Sequence, residues 1–179
     1  MVFVGLVTGC DRSDDLEFDN ATLSKKNVTK ELTMGLNLVF TGTYDYQGPS
    51  ADCGDFPPFV QVINNGEGSG THFGKLTSHF DFCVDVRDFS YPNGRIIAYF
   101  EDENGDRLDV EVAGFVLGGR VPGMPSYANS YFKDPFQIIG GTGRFEGATG
   151  SGFTNDYNSD KDDYSHHHWT GTITLLKNN

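Results

Sequence analysis

The sequence predicts an all-β domain, an antiparallel barrel of about eight strands that follows a flexible N-terminal tether. Three observations support this fold class. Apolar and polar residues alternate with period two in one segment after another, with almost no sign of the longer period of a helix. Turn-forming residues separate these segments at short intervals. The composition, with 15 Phe, 8 Tyr and 23 Gly among 179 residues, is typical of strands joined by many turns.

The first nine residues, MVFVGLVTG, form an apolar run that leads to Cys10. The segment LVTGC at 6–10 resembles the lipobox of bacterial lipoproteins, so we interpret residues 1–9 as the remnant of a signal peptide and Cys10 as the lipidated residue. The run is short for a signal peptide and carries no Lys or Arg, which indicates a late start codon or a trimmed chain. An ordinary apolar start with a chance cysteine is the alternative.

An acidic run follows this cysteine. Ser13, Asp14 and Asp15 resemble the short signal that directs lipoproteins to the cell surface in some Gram-negative bacteria. Together with the lipobox, the run predicts an exported protein that a lipid anchor holds on the outer membrane, facing outward. Residues 10–35 are then the lipidated cysteine and a polar, flexible tether, and the β-barrel domain is predicted over residues 36–179.

Four segments with the strand pattern follow the tether. The first, LNLVFTGTYDY at 36–46, alternates along its length, whereas PFVQVIN at 58–64 is short and begins beside a Pro-Pro pair, which suits a strand start or a sheet edge. The third, THFGKLTSHFDFCVDV at 71–86, alternates again and ends before the turn sequence YPNG. The fourth, RIIAYFED at 95–102, leads into Asn104-Gly105, the strongest short hairpin signal in the chain.

Four more segments complete the predicted barrel. RLDVEVAGFV at 107–116 alternates apolar and acidic residues, as a half-buried strand does. YFKDPFQIIG at 131–140 is interrupted by Pro135, which predicts a bulge or an edge. A glycine-rich strand and a last strand, SHHHWTGTITLL, follow. The stretches LGGRVPGMPSYANS and NDYNSDKDDY between these segments are predicted loops.

Large apolar side chains share one face on three of the strands. If the barrel closes, these faces converge inward and form either a packed core or the wall of a site for a small hydrophobic molecule. The sequence leaves both alternatives open. The candidate ligand-binding residues are Phe40, Tyr44, Leu76, Phe80, Phe82, Leu108, Val110 and Val112.

Two further cysteines, Cys53 and Cys83, lie within the predicted barrel domain. Their separation of about thirty residues is one that a disulfide can close, and an exported protein would permit the bond. We therefore predict that Cys53 and Cys83 pair. Two unpaired thiols are the alternative.

The stretch IIGGTGRFEGATGSGF at 138–153 is dense in glycine, which suits either a phosphate-binding loop or a bending sheet. A dinucleotide-binding loop would lead into a helix, and a P-loop would need a Lys-Ser or Lys-Thr pair. Here Glu146 stands where a pyrophosphate should lie, and the residues after it alternate with period two. The stretch is therefore interpreted as a tight corner followed by a strand.

Two motifs carry a family resemblance. GTHFGKLTSHF at 70–80 and GGTGRFEGATGSG at 140–152 resemble bacterial members of the allene oxide cyclase-like barrel superfamily, in which a GTI-like segment in the last strand matches 171–173 here. The resemblance covers about residues 36–176 and implies an eight-stranded, calycin-like antiparallel barrel. Plant members cyclise an unstable fatty-acid epoxide inside the barrel. Their catalytic residues match no defined positions in this chain, so none is carried over.

Charge and motif spacing disfavour other functions. A net charge of −12 and a pI near 4.6 argue against nucleic-acid binding. In the sequence HHH, His166 and His168 would share a strand face and could form half of a zinc site that His72 or His79 completes, but nothing in the sequence places those residues nearby. The acidic loop beginning at Asp156 lacks the Gly and Glu of a calcium loop. We predict no metal, no cofactor and no catalytic residue, with weak calcium binding as the alternative for that loop.

The function predicted from the sequence is that of a cell-surface lipoprotein whose barrel binds a small hydrophobic ligand. The membrane is its partner through the lipid anchor. One alternative is a cyclase-like or isomerase-like enzyme, which would need an ionisable side chain in an otherwise apolar cavity. The other is a filled barrel that acts through its surface or loops, since a fold does not by itself determine function.

Overall fold

The computed structural model of the protein describes residues 30–177. This part of the chain is all-β, and its only helical turns are two 3₁₀ turns at Pro92–Gly94 and Gly143–Phe145. The strands are β1 Lys30–Gly48, β2 Phe59–Gly70, β3 Gly74–Asp85, β4 Ile96–Asp102, β5 Arg107–Val112, β6 Leu117–Gly118, β7 Ala128–Phe132, β8 Pro135–Gly141, β9 Thr149–Phe153, β10 Asp156–Ser159 and β11 Tyr164–Lys177.

Eight of these strands close into a barrel. They pair in the order β1-β2-β3-β4-β5-β8-β9-β11, and β11 pairs with β1 to complete the ring. Every pair is antiparallel, and the closing pair runs from Lys30 opposite Lys177 to Thr43 opposite Tyr164. The predicted all-β class and eight-stranded antiparallel barrel are confirmed.

Strand β1 begins at Lys30, six residues before the predicted start of the barrel domain at residue 36. The alternation extends further back than predicted, because Leu32 and Met34 are partly buried while Glu31 and Thr33 are exposed. Pairing with the end of β11 holds this early part of β1 in the sheet. The predicted signal-peptide remnant, the lipidation at Cys10 and most of the predicted tether lie outside the described residues.

Three short strands form an extension outside the ring. Strand β10 pairs with β11, β7 pairs with β10, and β6 pairs with β7. The stretches 117–130 and 155–164, predicted as loops, therefore contain strand residues. The prediction was wrong there because strands of two to five residues are too short for alternation to reveal them.

The interruption at Pro135 is a change of sheet partner and not a bulge within one strand. Strand β7 ends at Phe132 in the extension, and β8 begins at Pro135 in the ring. Proline has no backbone N–H to donate, so the start of a strand is a position that tolerates it. Its carbonyl oxygen accepts a hydrogen bond from the N–H of Ala113 at 3.1 Å.

Aromatic side chains fill the middle of the barrel. Trp169 is fully buried, stacks on Phe136 at 5.0 Å between ring centroids, and meets Phe100 edge to face at 5.1 Å. Phe40 packs edge to face on Phe100 at 5.2 Å. Small eight-stranded barrels either fill their interior in this way or enclose one ligand. Here the central layer is filled.

The glycine-rich stretch makes a corner and then a closely packed strand. Gly143 begins the 3₁₀ turn with a φ of 56°, in the left-handed region, and a side chain on it would collide with the carboxyl of Asp106. Strand β9 then lies between β8 and β11, where a side chain on Gly152 would collide with the carbonyl oxygen of Thr170. These glycines serve the barrel wall, as the sequence indicated.

One end of the barrel is closed by side chains from this corner. Phe145 is fully buried and stacks on Phe73 at 4.7 Å between centroids. The guanidinium of Arg144 lies 4.7 Å above the Phe145 ring and forms an ion pair with the buried carboxylate of Asp102. Any molecule that enters the barrel must therefore use the opposite end.

Candidate functional site

The opposite end of the barrel contains a cavity of about 50 Å³. It lies where β4 begins and β5 ends, and we call this end of the barrel the cavity end. Most of its wall is aromatic or aliphatic, with a few polar groups among the apolar ones. The lining residues are Tyr44, Asn64, Phe80, Phe82, Tyr91, Ile96, Val112, Phe132, Asp134, Thr154, Asp156, His167 and Trp169.

The structure separates the eight predicted ligand-binding residues into two groups. Tyr44, Phe80, Phe82 and Val112 line the cavity. The others are buried in the packed core and do not line it: Phe40, Leu76, Leu108 and Val110. The inward faces thus converge as predicted, but most of the interior is occupied by the side chains themselves.

Asp134 is a buried carboxyl group of the cavity that has no counter-ion among the described residues. Its side chain is 7% exposed, and no side chain in the described part of the chain donates a hydrogen bond to its carboxyl group. Burial raises the pKa of Asp134 to about 6; the backbone N–H of Phe115 opposes this increase and the negative charge of Asp156 adds to it. The backbone N–H of Asp134 donates to Oγ1 of Thr154 at 2.9 Å, which holds the residue in place.

Asp156 is buried nearby, but its carboxylate is well satisfied. Oδ2 accepts hydrogen bonds from Trp169 Nε1 and His167 Nδ1, both at 2.8 Å, and Oδ1 accepts one from the backbone N–H of His168 at 3.0 Å. Three donors stabilise the negative charge, as buried carboxylates require. Asp156 therefore orients the imidazole ring of His167, which stacks on Phe40 at 4.4 Å.

Ser165, His167 and Asp156 have the order of a hydrolase triad. Nε2 of His167 lies 2.8 Å from Oγ of Ser165. Ser165 is only 1% exposed, and its hydroxyl is also engaged by Asn64 Nδ2 at 3.0 Å and the Gly42 carbonyl oxygen at 3.2 Å. Ser165 does not line the cavity, so we assign this set a structural role, because a nucleophile must reach its substrate.

Two tyrosines complete the polar part of the wall. Burial raises the pKa of Tyr91 and also that of Tyr44, so both side chains are neutral at physiological pH. The hydroxyl of Tyr44 donates to Oδ1 of Asn158 at 2.9 Å, which connects β1 to the extension. Tyr91 meets the ring of Phe82 edge to face at 5.5 Å.

Cys53 and Cys83 form a disulfide with 5.5 Å between their Cα atoms. Cys83 follows Phe82 on β3, so the bond ties the loop between β1 and β2 to the strand that supplies part of the cavity wall. The disulfide therefore restrains the cavity end of the barrel.

The loops at the cavity end expose several large apolar side chains. These loops lie together, because the N–H of Val86 donates to the carbonyl oxygen of Pro58 at 3.0 Å and Ser90 forms a β-bridge with Phe115. About half of each of the three Phe side chains is exposed. We call this set the apolar rim: Phe56, Val86, Phe89 and Phe115.

Sequence reasoning missed Asp134, Asp156, His167 and Tyr91 as cavity residues. One signal was present for His167, since alternation within HHH places it on the face opposite to that of His166 and His168. Asp156 was weighed only as part of an acidic loop. In the structure its carboxylate faces the interior, whereas Asp160 accepts from Asn129 Nδ2 at 2.5 Å outside the cavity.

The described residues contain no cluster of three or more His, Cys, Asp or Glu side chains placed to hold a metal ion. Within the same range, no helix is long and apolar enough to cross a membrane. The chain matches no protein-family model, and no curated protein shows significant similarity to it.

Proposed function

We propose that this chain is a lipid-anchored surface protein of the allene oxide cyclase-like superfamily and that its barrel binds a small, mainly apolar molecule at the cavity end. One observation carries the proposal: a cavity of about 50 Å³ with a mostly apolar wall remains in a barrel whose centre is otherwise filled. Clefts of this kind, apolar with a few placed polar groups, are the usual form of small-molecule sites.

The size of the cavity limits what it can hold. An apolar cavity of about 150 Å³ accepts benzene, so about 50 Å³ accepts only a group of a few heavy atoms. The remainder of a longer ligand would lie outside, against the apolar rim. Exposed contiguous apolar patches often mark binding surfaces. We therefore favour a ligand that inserts one end into the cavity and leaves the rest of its length outside the barrel.

The anchoring proposal agrees with the direction of the first strand. Strand β1 begins at Lys30 and enters the barrel at its closed end, since the carbonyl oxygen of Asn37 accepts a hydrogen bond from the N–H of Thr71 in the turn that carries Phe73. A lipid on Cys10 would attach the chain from that end. The cavity end would then remain accessible to a ligand from outside the cell.

Binding can be tested with 1-butanol as a probe. The readout is the change in the backbone amide NMR signals of the protein as 1-butanol is added. We expect saturable shifts at residues around the cavity. Val112→Phe places a larger side chain into the cavity and should abolish these shifts. Ile97→Phe, at a position that is 61% exposed, is the matched control and should leave them intact. Equal shifts in wild type and Val112→Phe would contradict the proposed site.

A second candidate function is proton transfer inside the barrel. The observation that favours it is Asp134, a buried ionisable side chain in a mostly apolar cavity. Its pKa of about 6 is near the value suited to a general acid or base at neutral pH. In an isomerase, its carboxylate would accept a proton from a carbon next to a carbonyl group and return it at another position.

Hydrogen exchange tests this second function without knowledge of the natural substrate. Acetone in D₂O serves as the probe, since each proton that Asp134 removes from its methyl groups is replaced by a deuteron. We expect faster deuterium incorporation with the wild-type protein than with Asp134→Asn, measured by NMR. Exchange at the uncatalysed rate with wild-type protein would rule out this activity towards a small ketone and would leave the binding function unaffected.

A further inference from the structure

The charges around the cavity disfavour a ligand that carries a carboxylate. The lining includes the two carboxyl groups of Asp134 and Asp156 and the imidazole of His167, and none of the lining residues within 30–177 is Lys or Arg. A ligand carboxylate would therefore meet negative charge without a cationic partner. Electrostatic complementarity instead favours a positively charged group in the cavity.

The two carboxylates differ in how well the protein's own hydrogen-bond donors satisfy them. Asp156 already accepts three hydrogen bonds from the protein. Asp134 has no donor side chain among the described residues, although it is buried and lines the cavity. A buried carboxylate without a counter-ion is energetically costly. A cation bound in the cavity would relieve this cost at Asp134.

The remaining wall is also suited to a cation. Six Phe, Tyr and Trp side chains line the cavity, and the negative face of such an aromatic ring attracts an ammonium group. Phe82 and Tyr91 form an edge-to-face corner, with 5.5 Å between their centroids. A carboxylate combined with aromatic walls provides both charge and apolar contact for an alkylammonium ion. These side chains are Tyr44, Phe80, Phe82, Tyr91, Phe132 and Trp169.

We propose that the cavity binds the ammonium group of a small apolar amine, with Asp134 as its counter-ion and the apolar part of the ligand directed to the apolar rim. This inference rests on the proposed function, because it assumes that the cavity is a ligand site. The net charge of −12 raises the local concentration of cations around the protein and acts in the same direction.

The proposal implies a dependence on pH. The ammonium ion pairs with the ionised form of Asp134, so binding should be strong above pH 6 and should weaken as the pH falls through the pKa of about 6. The other titratable groups that face the cavity are Asp156, His167, Tyr44 and Tyr91. Asp134→Asn separates the contribution of Asp134 to the pH dependence from the contributions of these groups.

Three linear probes of similar size test the charge preference: butylamine, 1-butanol and butyrate. Their dissociation constants are measured by NMR titration at pH 7.5 and pH 5. We expect wild-type protein to bind butylammonium at least tenfold more tightly than 1-butanol at pH 7.5, to lose most of this preference at pH 5, and to bind butyrate more weakly than either. Asp134→Asn should bind butylammonium no better than 1-butanol.

Asp88→Asn is the matched control, since Asp88 is an exposed carboxylate next to Phe89 of the apolar rim. This variant should retain the amine preference. An equal loss in Asp88→Asn and Asp134→Asn would overturn the role of Asp134. Binding of 1-butanol as tight as that of butylammonium would overturn the inference and leave the proposed function standing. No binding of any probe by wild-type protein would overturn both.

Discussion

The carboxylate of Asp156 accepts a hydrogen bond from Nε1 of Trp169 inside the barrel, at 2.8 Å. Asp156 begins β10 of the extension, and Trp169 lies on β11, the strand that closes the ring. The bond therefore joins the extension to the centre of the aromatic core. It also places a negative charge beside the cavity, where that charge adds to the effect of burial in raising the pKa of Asp134.

Removing this carboxylate should destabilise the fold. Asp156→Ala leaves Trp169 Nε1 and His167 Nδ1 buried without their acceptor, and we expect a loss of about 3 kcal/mol in the free energy of unfolding. Urea denaturation followed by the fluorescence of Trp169, the only tryptophan, measures the loss. Asp160→Ala, at an exposed carboxylate, should change stability by less than about 0.5 kcal/mol. Equal effects would contradict the role of Asp156.

Asp134 should make the protein less stable as the pH rises. Its pKa is about 6 in the folded state and lower in the unfolded state, so the folded state binds the proton more tightly. The group therefore destabilises the fold above pH 6, by about 2–3 kcal/mol, and has no such effect below about pH 4. Chemical denaturation at pH 4 and at pH 8 measures the free energy of unfolding of Asp134→Asn and of wild type. We expect the value for the variant minus the value for wild type to be larger at pH 8 than at pH 4 by this amount. A constant difference would show that the carboxyl titrates normally.

Two phenylalanines should respond differently to truncation. Phe100 is fully buried in the filled centre, so Phe100→Ala opens a new cavity and should cost about 3–5 kcal/mol. Phe82 is half-buried and already borders the cavity, so Phe82→Ala should cost clearly less. Denaturation of both variants at one pH measures the difference. Equal losses would mean that the wall at Phe82 is as tightly packed as the core.

The disulfide should stabilise the cavity end. Replacing both Cys53 and Cys83 with Ala releases the loop between β1 and β2, and we expect a loss of about 2–4 kcal/mol. Intact-mass analysis after alkylation, with and without reductant, first establishes the bond in the purified protein. Free alkylation of both thiols without reductant would contradict the pairing.

The proposed anchor predicts a change of location. Cys10→Ser removes the acylation site and should move the protein from the membrane fraction to the soluble exported fraction, because each buried methylene of an acyl chain contributes about 0.8 kcal/mol to anchoring. Both forms are expressed behind the same functional signal peptide, and the cells are fractionated. Unchanged membrane association of the variant would rule out lipidation at Cys10.

The local sequence pattern was sufficient to predict the strands and turns of the barrel wall. Alternation marks the eight ring strands because each has one face in the core and one in solvent, and Asn104-Gly105 marks the turn between β4 and β5 because Gly105 adopts a φ of 81°. Both signals are carried by neighbouring residues. The glycine-rich stretch could also be interpreted from neighbouring residues, since both its turn and its period-two pattern are visible in the sequence itself.

The cavity and its chemistry were decided by tertiary structure. Asp134, Asp156 and Tyr91 come from three separate segments, and only closure of the ring and pairing of the short extension strands bring them to one cavity. Alternation predicts which face a side chain occupies but not how completely the inward side chains fill the space. That filling depends on side-chain volumes and on contacts between distant strands. The sequence therefore determined a barrel with an apolar interior, and packing alone decided that it is closed at Phe145 and retains a small cavity lined in part by two carboxyl groups.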